Sequence, residues 1–359
     1  MARTRPSSPS ETGADFLLTR FLDNINIPST MEEDSRSKKS PLRLAKNTTT
    51  QDPDAPFTIP SRSSKTTFTY KDRNFITELE VRGVVESEEA PSDLDGIVKM
   101  LKRNSPGLQS LDELTTETFE NCRIVPGNEP TIQIVIVPGL INLYGIIRDN
   151  TTHAAVEAQF VAECVLPLLP EADDDGTKIT PPDPDLVVGL RRTLFQDYYV
   201  VLRQLDTIAA PITCTPAIVF PCFTVEVKGG SGASDARNQN CNNAAHMLRH
   251  LRLLSCQARG EQYTQESFDG VVRVLSATVT QDKVTISGHW TISKSGHVYT
   301  YSYLLKSASI EDITNKQWNE VSRYLQNGIK YIIQKTRQQV EDNLKYIKDS
   351  GSSRKRRRS

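Results

Sequence analysis

No apolar stretch of this 359-residue chain approaches the roughly 20 residues needed to cross a bilayer. Its opening residues, Met1-Ala2-Arg3-Thr4-Arg5-Pro6, lack the apolar core of a secretory leader. The six cysteines, at 122, 164, 214, 222, 241 and 256, are scattered and form no Cys-x-x-Cys pair. Free thiols in a reducing cytosol or nucleus are therefore expected, and a secreted, disulfide-stapled chain is not. The sequons at Asn47 and Asn150 then carry no meaning. Charge of one sign is missing too: 43 basic against 44 acidic residues leave a formal net charge of −1, so the molecule as a whole gives no electrostatic sign of nucleic acid. No Gly-x-Ser-x-Gly elbow is present, which argues against a serine hydrolase. No Gly-Lys-Ser/Thr follows the glycine-rich stretch Gly229 to Gly232, which argues against a phosphate-binding loop.

What is there falls into four parts. Residues 1–66 are rich in Ser, Thr, Pro and charge and are expected to be disordered, with one short apolar patch, Phe16 to Leu22, at helical spacing. Residues 67–139 read as a helical N-terminal part of the globular region. Helices are expected from the start signal Ser92-Asp93-Leu94-Asp95 and over Leu111 to Asn121, before a strand Ile132 to Val137 closed by Pro138-Gly139. Residues 140–348 hold the main body. A helix is expected over His153 to Leu169, then a rigid loop Pro181 to Pro184 opening a strand, then a helical stretch around Phe195 to Leu205. The apolar run from Val219, a helix from about Ser234 to Ala258, strands at 271–279, 284–292 and 298–305, and a helix from about Glu311 to Lys348 complete it. The order predicts an α/β fold whose mixed central sheet is flanked by helices. Residues 349–359 form a basic tail ending Arg354-Lys355-Arg356-Arg357-Arg358.

Chemistry concentrates at two places. Asp185 opens the apolar run Leu186-Val187-Val188, and Glu226 and Lys228 close the run that starts at Val219. Residues two apart on a strand share a face, so Glu226 and Lys228 project together. If the two runs are neighbouring strands, two carboxylates and an ammonium meet. Such a set suits a hard divalent cation with a lysine beside an attacking water.

Pro184-Asp185, Glu226-Val227-Lys228 and a following glutamine-bearing helix resemble the PD-(D/E)xK, or restriction-endonuclease-like, nuclease superfamily. More narrowly, Phe223 to Gly229 followed by Asn238-Gln239-Asn240 and Ala244 to Leu248 looks like an uncharacterised fungal domain family of that type. The resemblance covers about residues 140 to 340. It implies a restriction-endonuclease-like core hydrolysing phosphodiester bonds in DNA with Mg²⁺ or Mn²⁺. Asp185, Glu226 and the Val227 carbonyl would hold the metal, Lys228 would orient the attacking water, and Gln239 would position the lysine or a phosphate. The further acid would be Glu157, with Glu163 as second choice. The spacing of about 40 residues between Asp185 and Glu226 departs from a tight strand pair and requires an insertion.

Other readings stand beside this one. A catalytically inactive descendant of the fold would bind nucleic acid or a protein instead. Apart from Arg191, Arg192, Arg237 and Arg249 no basic stripe marks a groove. His246 and His250 sit one helical turn apart, but without a third ligand in register they are expected to flank the groove or meet phosphate rather than bind zinc. The basic tail suits an import receptor, which would place the chain in the nucleus or cytoplasm, and the fold would allow a homodimer.

Overall fold

A computed structural model describes residues 67–72, 74–104, 132–133, 137–141, 151–161, 166–172, 176–213, 215–229, 232–309 and 315–356. The expected disordered region 1–66 and the expected helix Leu111 to Asn121 lie outside the described residues.

In chain order the elements are β1 (Thr67–Phe68), α1 (Phe75–Glu80), β2 (Val84–Glu86), α2 (Leu94–Leu101), α3 (Val137–Leu140), β3 (Thr152–Val156), β4 (Lys178–Ile179) and β5 (Leu186–Arg191). A 3₁₀ segment (Arg192–Tyr198), α4 (Tyr199–Gln204), α5 (Asp206–Ala209), β6 (Ile218–Lys228) and α6 (Ala233–Arg259) follow. The chain then forms α7 (Glu261–Ser267), β7 (Val274–Thr280), β8 (Lys283–Lys294), β9 (His297–Ser309) and α8 (Asn315–Arg356). One mixed sheet has the strand order β2-β9-β8-β7-β6-β5-β3. β3 and β5 pair antiparallel, as do β5 and β6, while β7 lies parallel to β6 and is reached through α6. β6 is an interior strand and is buried along its whole length, which explains why it reads as a continuous apolar run rather than an alternating one.

The two faces of β6 and β7 differ. Phe223, Val225 and Val227 pair with Leu275, Ala277 and Val279, so these apolar side chains share one face, where Leu275 packs near Gly328 of α8. Thr224, Glu226, Ser276 and Thr278 share the other, beneath α6. That polar face is satisfied by asparagines of α6. Asn240 donates to the Ala277 carbonyl and to Thr278 Oγ1, both at 2.9 Å, and accepts from Thr224 Oγ1 at 3.1 Å. Buried polar groups are tolerated when bonded in this way.

The insertion expected between Asp185 and Glu226 is present as the 3₁₀ segment, α4 and α5. Where β5 re-enters against β6 the register shifts between Val188 and Leu190. There Pro221, with no N–H to give, and Phe220 at a φ of 49° sit opposite Gly189. A Cβ at Gly189 would stand 2.9 Å from Pro221 Cα. Only glycine fits there.

Three expectations are corrected. The helix over His153 to Leu169 is instead β3 with irregular chain at 157–161 and 166–169, because Thr152 to Val156 pair with Leu186 to Leu190 and cover the β5 edge. The strand Ile132 to Val137 is not formed at its end: Val137–Leu140 makes a helical turn that includes Pro138 and Gly139. Residues 67–139 are not solely helical, since β2 pairs with Thr300 to Ser302 as an edge of the main sheet. In addition, α8 continues through the first cations of the tail to Arg356. Asp93 stands at the start of α2 as expected, yet its carboxylate accepts from the Val272 N–H and the Lys335 ammonium rather than capping the helix. No helix of the described residues is long and apolar enough to cross a membrane, and Cys222, Cys241 and Cys256 are free.

His289 of β8 makes one polar bond, to Ser276 Oγ at 2.8 Å, on this buried face. Burial lowers its pKa to about 3, so it is neutral when folded. The unfolded chain takes up a proton below about 6.5, so this contribution is complete above that pH and is lost as the pH falls towards about 3. Between pH 7 and pH 5 the wild type is expected to lose about 2 kcal/mol more unfolding free energy than His289→Gln. Urea titrations at the two pH values check this; parallel losses would sink it.

Candidate active site

Glu226 and Lys228 stand two apart at the C-terminal end of β6, and the Asp185 side chain reaches the same point from the start of β5. The ladder explains why. Leu186 pairs with Val225, so β5 runs out just where Val227 still offers an N–H. Asp185 Oδ2 accepts that N–H at 2.6 Å, and Gln133 donates its amide to Oδ1 at 2.7 Å. A strand residue turns its N–H and C=O to the same side, so the Val227 carbonyl faces Asp185 as well. The expected meeting of two carboxylates and an ammonium is therefore what the fold produces.

Glu226 is fully buried. Asn243 of α6 donates to Oε1 at 2.6 Å, whereas Oε2 has no hydrogen-bond partner among the described residues. Burial, and then the Asp185 carboxylate, push the Glu226 carboxyl well above the usual carboxylate range, against the Asn243 amide and the Lys228 ammonium, which favour charge. Lys228 is 7% exposed, and its ammonium lies 5.3 Å from the centre of the Tyr70 ring. Its stem is pinned from below: a Cβ added at Gly232 would come within 2.8 Å of Lys228 Cβ.

Asp185 and Lys228 open into a cleft of about 690 Å³, and Glu226 lies buried outside its lining. Asp185, Lys228, Gln239 and Glu157 all line it, together with Asp183 and Tyr70. Gln239 is on α6 as expected, and its buried Oε1 has no partner among the described residues. Glu157 reaches the cleft from a loop rather than from a helix. It follows β3 at a φ of 46°, with its N–H bonded to the Asp185 carbonyl. Glu163 lies outside the described residues.

His246 and His250 do not flank the cleft. Both are buried, with Nδ1–H donated to the Asn242 carbonyl at 2.9 Å and the Ile208 carbonyl at 3.1 Å. Burial, then the neighbouring His246, lowers His250 to a pKa of about 4. They act as core side chains because α6 is covered on more than its sheet-facing stripe.

Four participants escaped the sequence. Asn243 had a signal: it lies one turn from Asn240, on the side of α6 that meets Thr224 and Glu226. Asp183 had one too, since Pro182-Asp183 repeats Pro184-Asp185 two residues earlier. Gln133 and Tyr70 had none; only folding brings them to Asp185 and Lys228.

Among the described residues no three His, Cys, Asp or Glu side chains gather as a metal cage. Two carboxylates and a carbonyl are nevertheless a fitting protein share for Mg²⁺, which keeps several positions for water and phosphate. The Glu226 oxygen without a partner is the observation that favours a cation there. Comparison with known sequences matches residues 124–344 to a family described as Domain of unknown function (DUF7924), and no curated protein matches the chain.

Proposed function

The chain belongs to the family described as Domain of unknown function (DUF7924), and we propose that it is a metal-dependent phosphodiester hydrolase acting on DNA. The observation that carries this reading is the buried Glu226 carboxylate with one unpartnered oxygen, set beside Asp185 and Lys228. The succession of an antiparallel β3-β5-β6 meander, α6 and a parallel β7 supports a restriction-endonuclease-like core. Charge argues the same way. Asp183, Asp185 and Glu157 around one lysine repel a phosphodiester unless a divalent cation offsets them.

Asp185, Glu226 and the Val227 carbonyl would hold Mg²⁺ or Mn²⁺, which when bound supplies Lewis acidity at a phosphoryl oxygen. The chain's own groups do the rest. Lys228 holds the attacking water in line and offsets charge as that water's oxygen bonds to phosphorus and the ester oxygen leaves. Gln239 steadies the ammonium or a phosphate oxygen from the same wall, and Glu157 stands by as the further acid. DNA as the substrate rests on the family resemblance of the Pro-Asp and Glu-x-Lys motifs.

Labelled single- and double-stranded DNA incubated with Mg²⁺ or Mn²⁺ tests the reading. Wild type is expected to cut only with metal, and Asp185→Ala is expected to cut at least a thousandfold more slowly. A wild type that neither cuts DNA nor binds Mn²⁺ in a calorimeter would leave the second reading, an inactive fold retained for binding.

A further inference from the structure

Away from the cleft, α8 carries a groove along its side. Two hollows of about 530 and 450 Å³ lie side by side there, with Tyr331 and Gln334 in the walls of both. Arg103 and Lys330 line one; Arg259, Arg273 and Lys335 line the other. Asp342 is the acid on these walls, and it accepts from the Gln338 amide at 3.2 Å. Lys335 is tied to Asp93 at 2.8 Å, and Arg273 donates to the Phe268 and Ser267 carbonyls and to Gln339 Oε1, but among the described residues no ion pair engages Arg103, Lys330, Arg259 or Arg273. The chain carries a formal net charge of −1, so these cations are a local concentration rather than a general excess.

Two further features point to a ligand. Tyr263, 42% exposed, and Tyr331 stand in the row of cations, with Arg259 4.8 Å from the centre of the Tyr263 ring and Lys335 5.5 Å from that of Tyr331. Asn343, only 3% exposed, has an amide nitrogen on the wall without a partner among the described residues. From Asn327 to Asn343 the helix rises about 24 Å, enough for a site of about four nucleotides. Cations for phosphates with aromatic rings between them for bases are what an unpaired strand requires, whereas a duplex keeps its bases stacked away. The groove is also distinct from the cleft: Lys228 ends β6, while Arg273 precedes the parallel β7, about 20 Å away along the strands.

We infer that this groove along α8 binds a single strand of nucleic acid. The inference holds whether or not the Asp185 cleft cuts. Its test is the fluorescence anisotropy of a labelled 12-nucleotide DNA strand titrated with the full chain in EDTA, across a range of salt. Arg103→Glu combined with Lys330→Glu changes two exposed side chains. It is expected to weaken binding at least tenfold and to make the slope of log K against log salt shallower by about 1.4, for two lost phosphate contacts. Tyr263→Ala, at a second exposed position, is expected to weaken binding about tenfold. The inference is overturned if wild type fails to bind at low salt, if the double variant binds unchanged (leaving the cations at 354–358 to explain binding), or if duplex DNA binds equally well.

Discussion

Lys228→Ala is expected to slow metal-dependent DNA cleavage by about a thousandfold while moving the melting temperature by no more than a few degrees. The ammonium is prepared for its task before substrate arrives. Its stem lies against Gly232, its head stands over Tyr70, and its strand position is fixed by the β6–β7 ladder out to Lys228 and Thr280. A donor held in this way gives its full effect where charge develops in the transition state, because no reorganisation is required. Core packing, by contrast, rests on Val225 and Val227, which point to the opposite face and are untouched. Lys228→Arg separates charge from position: its planar fork keeps the charge but cannot occupy the same point, so only a small part of the rate should return. Cleavage that survives Lys228→Ala would remove the lysine from the chemistry, and a variant that unfolds would assign it to structure.

The site was more legible than the fold around it, and the reason is range. Glu226 and Lys228 needed only the two-residue period of a strand, and Asp185 needed only that the next apolar run be its neighbour. The β8–β9 hairpin was equally local, since the expected strands at 284–292 and 298–305 leave a short gap in which Gly296 turns at a φ of 82°. β3 was misread because Val156, Phe160 and Val161 happen to fall at helical spacing. Its strand state comes from β5, more than 30 residues away in the chain, which requires a partner on that edge. The short turn at Val137 to Leu140 failed similarly, since Ser322 of α8 donates to the Leu140 carbonyl and fixes it from far along the chain. The face of α6 was half seen. Its apolar stripe, Ala244, Leu248, Leu251 and Leu254, is buried, but the polar residues beside it are buried too. A helix lying on a polar sheet face inverts the usual rule that polar positions mark the solvent side. That inversion is what hid Asn243 and made His246 and His250 look like groove residues.

Glu226→Gln is expected to stop cleavage and, in the same variant, to raise the thermal stability of the metal-free protein. The two effects have one cause. A carboxylate at Glu226 is enclosed with one oxygen unpartnered and Asp185 alongside, so the folded state holds its proton more tightly than the unfolded chain does. A raised folded pKa contributes stability that is complete below the unfolded value and is lost as pH rises through the folded one. Glutamine keeps the shape and the acceptor for Asn243 without carrying that charge. In EDTA the variant should therefore melt above wild type at pH 8, and the gap should close as the pH falls to the ordinary carboxylate value of 4.5, where the folded wild-type carboxyl is protonated and the unfolded one half so. Adding Mn²⁺ reverses the order. A cation that binds only the folded protein, present at about a hundred times its dissociation constant, stabilises wild type by about 2.7 kcal/mol. For a body of this size that is a rise of about 5–10 °C. The variant, lacking the second carboxylate, should not respond. Melting curves of both proteins in EDTA and in Mn²⁺ at the two pH values decide the matter without recourse to cleavage. If Mn²⁺ leaves wild type unmoved, the unpartnered oxygen is a buried polar residue of the fold and not the seat of a metal. The cleft would then serve binding rather than hydrolysis.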